Sequence, residues 1–461
     1  MQTELDTAPP VARVPHEAQG PSHDHPFSRA STLRVPLSKA ALRTNAPSIT
    51  SLMQTALENP DIVSLAAGFV DQHSLPVEAA SRATASLFSD ATEGRRALQY
   101  GTSIGHARLR TRLIERLEQA EGVTTGTYQE AVSRTVVTTG SAQLIYLVCE
   151  ALLDPGDIVL VESPTYFVFL GPVETRGARA VRIPIDDDGM RIDALEETLR
   201  RIKEEGDLER VKLIYTIPVH ANPTGISLAE DRRRPLVELV KRWSATANRR
   251  IFLLEDAAYQ GLSYGVPEFP SLWSLDRDGE TVILARTFSK TFSPGMKIGY
   301  GILPRGLIEP ILKLKGNHDF GSSNYGQQLL DEALRSGDYD RHLAQLREVY
   351  GRKRDVFLGA LDRHLGAVGP EVRWTHPRGG LFVWMTVPEG LDTGFGGPLF
   401  PKCLEERVLY VPGEYAFAAE PEPAPSNHLR LTFGVPSEAE LEEGARRLSR
   451  ALHGCLDRAG A

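Results

Sequence analysis

One lysine in the stretch RTFSKTFSPGMKIGYG, residues 286–301, stands among groups that suit chemistry at an amine. Lys290 follows two hydroxyl residues, Thr287 and Ser289, and a second cation, Lys297, lies seven residues later. Burial and neighbouring cations lower the pKa of a lysine, and its neutral amine then forms imines with carbonyl compounds. The hydroxyls and Lys297 are close enough in sequence to hold a phosphate beside that amine. Taken alone, Lys290 could equally be a solvated lysine of a surface turn.

Other polar residues follow short apolar runs along the chain. They are Ser141, Ala142 and Gln143 in TTGSAQ, Tyr166 in ESPTY, Asn222 in HANPTG, and Asp256 and Tyr259 in EDAAY. Ligands of open α/β sheets bind at the carboxyl ends of the strands, so these residues and Lys290 are predicted to form one site. The free amides at 141–143 would face an anion at a helix N-terminus.

The elements that must position these residues are strands alternating with helices. The runs TVVTTG, DIVLVE, RAVRIPI, VKLIYTIP, RIFLLED and TVILARTFS read as strands, with helical patterns such as SAQLIYLVCEALLDPG between them. Continuous strand apolarity is typical of strands covered on both faces. We therefore predict a three-layer αβα domain with a mostly parallel sheet.

The pattern changes after about residue 365. A long helical stretch over 325–365 is followed by VRWTHPRGGLFVWMTVP, a Gly- and Pro-rich loop at 390–401, the run HLRLTFG and a charged terminal helix. This order predicts a smaller α+β domain.

Composition limits the classes of partner. The 461 residues carry a formal net charge of −8 and three widely spaced cysteines without a CxxC pair. We therefore expect no nucleic-acid partner, no disulfide framework and no metal site. No apolar window is long enough for a membrane span and no signal peptide is recognisable, so a cytoplasmic protein with a small-molecule partner is expected.

At this point the sequence resembles a known family. The segments LQYGTSIGHARLR, GSAQ, DPGDIVLVESPTY, NPTG, EDAAY, SKTFSPGMKIGY, RGGLFVW and LRLTFG are similar, in order, to the fold type I pyridoxal 5′-phosphate (PLP) enzymes. The similarity is to the class I/II aminotransferases of the kynurenine/2-aminoadipate subgroup, and it runs from about residue 46 to the end. It implies a homodimer with shared active sites. It also implies transfer of an amino group from an L-amino acid to a 2-oxo acid by a ping-pong mechanism.

The resemblance implies a role for each matching residue. Lys290 would bind PLP as an imine and move the α-proton, and Asp256 would pair with the pyridinium nitrogen so that the ring acts as an electron sink. Asn222 and Tyr259 would bond the phenolate oxygen, and Tyr166 would stack on the ring. The phosphate would be held by Ser141, Ala142, Gln143, Ser289 and Lys297, with Tyr100 from the partner subunit. Arg430 would clamp the substrate α-carboxylate, and Gly68 would line the substrate entrance.

The same resemblance divides the chain. We predict a disordered tail over 1–45, an N-terminal arm with part of the small domain over 46–85, a large PLP-binding domain over 86–345, and the C-terminal small domain over 346–461. Residues 1–45 are rich in Pro, Ser, His and Ala, so burial cannot offset their ordering entropy.

Plain structural roles remain open for several of these residues. Asp256 could cap a helix, and Tyr166 and Tyr259 could be ordinary half-buried tyrosines. Arg430 could form a structural salt bridge. Tyr100 could be a loop aromatic at a dimer contact.

Three departures from the family pattern bear on chemistry. Lys297 stands where an arginine is usual and lacks the two-pronged fork. His220, before NPTG where a glutamine is common, could be a packing residue or a proton-transfer group. Thr50 stands where the subgroup often has an arginine, and AAGFVDQHSLP is also altered, so an unusual substrate is expected.

Two alternatives to an aminotransferase follow. The departures motivate a PLP-dependent oxidase, lyase or cyclase on the same fold. A PLP-binding transcription regulator is the other, but the 45 residues before the resemblance lack a helix-turn-helix pattern and a basic patch. The donor and acceptor are left open among acidic, aromatic and basic amino acids.

Overall fold

The computed structural model describes residues 35–44, 49–366 and 368–459. Most of the predicted 1–45 tail, and the side chain of Thr50, lie outside the described residues. The chain divides into Met1–Lys39 and Ala40–Ala461. In the first unit the described residues, 35–39, are exposed.

Within the predicted tail, the helix Lys39–Arg43 differs from the expectation of a structureless segment. Its three central residues, Ala40, Ala41 and Leu42, are strong helix formers. The Arg43 guanidinium donates through Nη2 to the Thr175 carbonyl at 3.0 Å, which fixes the end of this helix.

The strands lie mainly where the apolar runs predict them. They are β1 (Val63–Ser64), β2 (Thr135–Thr139), β3 (Ile158–Ser163), β4 (Arg179–Asp186), β5 (Gly189–Met190), β6 (Val211–Thr216), β7 (Phe252–Asp256), β8 (Val282–Thr287), β9 (Ile298–Ile302), β10 (Arg373–Trp374), β11 (Phe382–Thr386), β12 (Val408–Leu409), β13 (Val411–Pro412) and β14 (His428–Thr432).

Eight strands form the large sheet, in the order β2-β9-β8-β7-β6-β3-β4-β5. The five central strands from β8 to β4 pair in parallel, whereas β9 runs antiparallel to both of its neighbours and β5 is antiparallel to β4. Alternate residues of β3 enter two different apolar clusters, Ile158 and Leu160 on one face and Val159 and Val161 on the other. Both faces of the sheet are therefore covered, as predicted.

The helices are α1 (Lys39–Arg43), α2 (Ile49–Glu58), α3 (Val77–Phe88), α4 (Ala91–Leu98), α5 (Ala107–Ala120), α6 (Gly140–Leu152), α7 (Phe167–Arg176), α8 (Ile192–Glu204), α9 (Glu230–Thr246), α10 (Leu272–Leu275), α11 (Arg305–Asp319), α12 (Asn324–Arg335), α13 (Asp338–Leu365), α14 (Leu399–Glu405) and α15 (Glu438–Ala459). The stretch 325–365, expected to be continuously helical, is two helices, because Gly337 at φ 73° ends the run. Part of the expected loop 390–401 is helical, since α14 begins at Leu399. None of the described helices has both the length and the apolarity needed to cross a membrane.

A second, antiparallel sheet has the order β10-β11-β14-β13. Helices α13 and α15 contact each other extensively, and α15 also contacts β1 and β12. Arg430 lies in β14, opposite Trp384 of β11. A separate parallel pair joins β1 to β12, which links residues 63–64 to the C-terminal part of the chain. The two sheets confirm the predicted fold class, a large αβα layer structure with a smaller α+β part.

Candidate active site

The carboxyl ends of β6, β7 and β8 bring the sequence-predicted residues together. Asp256 is the last residue of β7, Lys290 lies three residues beyond β8, and Asn222 lies six residues beyond β6. Because these three strands are adjacent and parallel, their ends meet at one edge of the sheet. Arg430 reaches the same place from the smaller sheet, since its Nη1 donates to Asn222 Oδ1 at 3.2 Å.

The Lys290 amine lies in a largely enclosed position. Its Nζ donates to the Gly68 carbonyl at 2.6 Å. Burial, with the cations of Arg430 and Lys297, lowers the pKa of Lys290 to about 8. Roughly one tenth of the amine is therefore neutral at pH 7, which is the form that attacks a carbonyl or accepts a proton.

Asp256 is a buried carboxylate in which one oxygen accepts a hydrogen bond and the other has no partner among the described residues. Oδ2 accepts from the Tyr215 hydroxyl at 2.8 Å, while Oδ1 is buried and has no hydrogen-bond partner among the described residues. Burial raises the pKa of Asp256 to about 6, and the Tyr215 bond opposes this rise. A buried, unpaired carboxylate oxygen is costly, so Oδ1 is suited to pair with a protonated nitrogen.

Tyr215 was not predicted as a site residue. It lies in the apolar run VKLIYT of β6, its side chain is fully buried, and its ring stacks on Phe169 at 3.7 Å with an interplanar angle of 7°. The signal in the sequence was the tyrosine itself, because a phenol in the middle of a covered strand requires a hydrogen-bond partner.

A second carboxyl group, which was not predicted from the sequence, lies near Asp256. Glu162, at the end of β3, is buried, and it accepts hydrogen bonds from the Thr216 hydroxyl at 2.5 Å and from the Ile217 amide at 3.1 Å. Burial raises the pKa of Glu162 to about 7, and the nearby Asp256 charge contributes.

The Arg430 guanidinium is buried between two aromatic rings. It lies 4.5 Å from the centroid of Phe382 and 5.2 Å from that of Phe167. Nη2 donates to the Ala66 carbonyl at 2.7 Å, and Nε is buried without a partner in the described part of the chain. Burial lowers the pKa of Arg430 to about 10, so it is a cation at neutral pH. No carboxylate pairs with it among the described residues, so the structural salt bridge considered from the sequence is absent there.

Tyr166 and Tyr259 border the same space. Burial, followed by the Asp256 charge, raises the pKa of Tyr166 to about 12. Burial raises the pKa of Tyr259 further. The nearby Tyr166 adds to this rise, whereas the Arg430 charge and a hydrogen bond with Asn222 oppose it. Both phenols are therefore neutral donors. Gly68 completes the rim, since a Cβ there would lie 3.4 Å from the Phe382 ring and 3.9 Å from Arg430 Nη2.

A helix N-terminus adjoins the Lys290 loop. Helix α6 begins at Gly140 with φ 71°, and no side chain caps it, so the first amides have no partner within the helix. Ser141 and Ala142 lie in this first turn. A Cβ on Gly299 would lie 2.6 Å from Gly140 C and from Ser141 N, which shows how closely β9 backs this turn. Thr287 Oγ1 lies 2.9 Å from Ser289 Oγ on the facing loop.

Gln143 and Lys297 lie here with different side-chain environments. The Gln143 side chain accepts from the Thr139 amide and donates to Asp319 at 2.8 Å, so it is not available to an anion. Lys297 is exposed, in a left-handed conformation at φ 53°.

Two other sequence-predicted residues are not part of this cluster. Tyr100 is 79% exposed and packs edge-on against Phe320, with 5.6 Å between ring centroids. His220 is buried, and its ring nitrogens contact Ser263 and Ser227 rather than Lys290 or Asp256.

Comparison with known proteins gives the family. Residues 60–448 match the family described as aminotransferase class I and II. Aromatic-amino-acid aminotransferase 1 of Thermococcus litoralis is 33% identical over 418 residues, covering 90% of this chain and 93% of that protein.

Two solved structures are similar as well. Pyrococcus horikoshii kynurenine aminotransferase, in complex with PMP, has a TM-score of 0.81 and 32% identity over 91% of this chain and 97% of that one. The α-aminoadipate aminotransferase of Thermus thermophilus, complexed with N-(5′-phosphopyridoxyl)-L-leucine, has a TM-score of 0.78 and 32% identity over 92% and 98%.

The chain therefore belongs to the class I and II aminotransferases. It is a PLP-dependent aminotransferase of fold type I, which confirms the predicted family, activity and cofactor over the oxidase, lyase, cyclase and regulator alternatives.

The described residues fit the cofactor. The unpaired buried Asp256 Oδ1 suits a protonated ring nitrogen, and the uncapped start of α6 suits a phosphate. Lys290 follows β8, the strand next to the one that ends at Asp256.

Proposed function

We propose that the cluster around Lys290 is the active site of this aminotransferase. Lys290 would be the covalent attachment point of the cofactor and the group that carries the proton between the α-carbon of the substrate and the cofactor. The observation that carries this proposal is the enclosed amine itself, which donates to the Gly68 carbonyl and has its pKa lowered to about 8 beside the Arg430 cation. An amine with that pKa both gives and takes a proton near neutral pH.

When bound, PLP supplies an electron sink for the charge left when the α-proton departs. Asp256 would sustain that sink by holding the ring nitrogen protonated through Oδ1, with Oδ2 anchored by Tyr215. Asn222 and Tyr259 would donate hydrogen bonds to the phenolic oxygen, and Tyr166 would lie against the ring.

The phosphate would be bound by main-chain amides and by a few side chains. The amides of Ser141, Ala142 and Gln143 at the start of α6 would provide the anion site, and the Ser289 hydroxyl and Lys297 would face it from the next loop. Because Lys297 is an ammonium on a flexible stem, it would contribute charge without a fixed two-point contact.

Arg430 would bind the α-carboxylate of each substrate in turn. Its unpaired Nε and the flanking Phe382 and Phe167 rings leave a desolvated cation directed by its bonds to Asn222 and Ala66. A bidentate pair in such a place is strong. Gly68 would keep the entrance open, because a side chain at that position would approach both Phe382 and Arg430.

We propose a homodimer with Tyr100 entering the partner's site. Tyr100, Leu98 and Phe320 are all more than 60% exposed, and the two rings among them touch. Such exposed apolar groups support an interface between copies of this chain. We also propose a cytoplasmic location, which the wide spacing of the three cysteines supports.

The domain boundaries remain a proposal: an arm with part of the small domain over 46–85, a large domain over 86–345 and a small domain over 346–461. The pairing of β1 with β12 supports assigning the early segment to the C-terminal part. The N-terminal tail over 1–45 would then include α1.

The substrates would be an L-amino acid and a 2-oxo acid, exchanged in a ping-pong reaction. Similar proteins are named for aromatic amino acids, kynurenine and 2-aminoadipate, so these three donor classes form the first panel.

The test is a half reaction without an acceptor. Purified holoenzyme is mixed with excess of each L-amino acid, and the 2-oxo acid released is counted against active sites. One equivalent per site, with further turnover only after an added 2-oxo acid, would support transamination. Release of ammonia or consumption of oxygen instead would refute it.

A further inference from the structure

His220 lies at a junction of three loops that the proposed site uses. It is two residues before Asn222, in a buried left-handed conformation at φ 48°. A non-glycine residue is held in that conformation only when its surroundings determine it. The contacts of its ring identify those surroundings.

The first contacts are with two serine hydroxyls. His220 Nε2 lies 2.8 Å from Ser263 Oγ, and Nδ1 lies 3.2 Å from Ser227 Oγ. The His220 amide also donates to Ser227 Oγ at 2.9 Å. Ser263 Oγ in turn donates to Glu268 Oε1 at 3.0 Å. Each serine has one proton to give, which fixes the direction of the bonds.

Because Ser263 gives its proton to a carboxylate, it accepts from Nε2–H of His220. Nδ1 is then the acceptor and takes the proton of Ser227. The hydrogen bonds therefore all run in one direction, from Ser227 through the neutral imidazole to Ser263 and Glu268. Burial, with the Arg233 and Arg354 charges, lowers the pKa of His220 to about 4, which agrees with a neutral ring.

Glu268 connects this series of hydrogen bonds to the loop that carries Tyr259. Its carboxylate accepts from the Gly261 amide at 2.8 Å and from the Gln260 side chain. These are the two residues directly after Tyr259. The imidazole therefore links the Asn222 loop to the Tyr259 loop through a single hydroxyl.

The third segment is the glycine pair before β11. A Cβ on Gly379 would lie 2.1 Å from His220 Nε2, and one on Gly380 would lie 2.8 Å from His220 Cβ. Main-chain bonds join this turn to 262–264, namely Gly380 N to Leu262 O at 2.9 Å and Tyr264 N to Arg378 O at 2.8 Å. The ring thus occupies the space that side chains at 379 and 380 would need, two residues before Phe382.

We propose that His220 is a positioning residue that fixes Asn222 and Tyr259 relative to each other and to the β11 strand. The proposal rests on the proposed function, which assigns those two side chains to the phenolic oxygen of the cofactor. It excludes the proton-transfer role considered from the sequence, since the ring contacts neither Lys290 nor Asp256.

The consequence is measurable in the absorbance of bound PLP. If Asn222 and Tyr259 donate weaker hydrogen bonds to the phenolic oxygen of PLP, that oxygen keeps more negative charge. It then stabilises the proton that it shares with the Lys290 nitrogen. The pH midpoint of the absorbance change then rises. In His220→Phe, which keeps a ring but removes both nitrogens, we expect a rise of about half a pH unit or more, the size of one weakened hydrogen bond.

The comparison uses holoenzyme of wild type, His220→Phe, His220→Gln, Ser263→Ala and His364→Gln. His364→Gln is the control, because it removes a ring bonded to Glu442 between α13 and α15, outside the site. Glutamine at 220 keeps an amide donor for Ser263 and should restore part of the wild-type midpoint. Ser263→Ala interrupts the same series of hydrogen bonds with a small change in volume. If His220→Phe does not fold, the pH midpoint of Ser263→Ala tests the proposal instead.

Raised midpoints in His220→Phe and Ser263→Ala, with His364→Gln at the wild-type value, would support the proposal. Unchanged midpoints in both, even with a lowered Tm of the apoprotein, would overturn it, as would an equal shift in His364→Gln. A wild-type holoenzyme in which borohydride does not fix PLP on Lys290 would instead refute the proposed function on which it rests.

Discussion

Removing the Tyr215 hydroxyl tests how the Asp256 carboxylate is held. Tyr215→Phe deletes the 2.8 Å bond to Oδ2 and leaves the ring stacked on Phe169. A hydrogen bond to a charged group contributes about 1.5 to 3 kcal/mol, and 1.36 kcal/mol corresponds to one pKa unit. Since this bond favours the ionised form, its loss raises the pKa of Asp256 by about one to two units.

The magnitude at neutral pH follows from that shift. With a pKa of about 6, roughly nine tenths of Asp256 is ionised in the apoprotein at pH 7. With a pKa of about 7 to 8, roughly half to one tenth is ionised. Since the ionised form pairs with the ring nitrogen, PLP should bind about 2- to 10-fold more weakly to Tyr215→Phe at pH 7, and by a smaller factor at pH 9.

The assay is the Kd of PLP for the apoprotein, measured from pH 5 to 9. In wild type the affinity should fall as the pH drops through about 6, and in Tyr215→Phe the fall should begin one to two units higher. Tyr410→Phe is the matched control, because that buried hydroxyl donates to the Thr393 carbonyl at 2.7 Å away from the site.

The reasoning is refuted if Tyr215→Phe and Tyr410→Phe give the same pH dependence of Kd as wild type. Equal displacement of both curves would also refute it, because a general loss of a buried hydrogen bond would then explain the effect.

Two further changes have expected outcomes. Arg430→Lys should raise the KM of the amino donor about 10- to 100-fold with a smaller change in kcat, because an ammonium cannot form the fork; steady-state kinetics with unchanged KM would contradict the assignment. Gly299→Ala should weaken PLP binding at least about tenfold, since its Cβ would press on the main chain of Gly140 and Ser141. Gly306→Ala, where a Cβ meets nothing within 4 Å, is its control, and equal Kd values in a titration with PLP would count against the predicted phosphate site.

The sheet was predictable because its central strands are continuous apolar runs. The residues at or just beyond their ends, Asn222, Asp256 and Lys290, were predictable for the same reason, since a parallel sheet collects its carboxyl ends at one edge. Strand β9 was missed because IGYGI contains two glycines, which a strand pattern rarely includes. The break between α12 and α13 was missed because one glycine in a helical pattern is a weak stop signal.

Long-range side-chain partners were beyond the sequence. Tyr215 meets Asp256 across 41 residues, and His220 meets Ser263 across 43, through strand and loop neighbours that only the fold brings together. Nothing in the sequence indicated that the Gln143 side chain would bond to Asp319, 176 residues away. The residue types indicated the chemistry of the site, whereas the direction of each side chain depended on packing.

The central claim, that Lys290 is the residue joined to the cofactor, is tested most directly by reducing the holoenzyme with borohydride and locating the PLP adduct by peptide mass spectrometry. Lys297, seven residues away on the same loop, is the internal comparison. An adduct on Lys290, absent from Lys290→Ala and retained in Lys297→Ala, is the predicted result. An adduct on Lys297 or on another lysine of wild type would contradict the assignment.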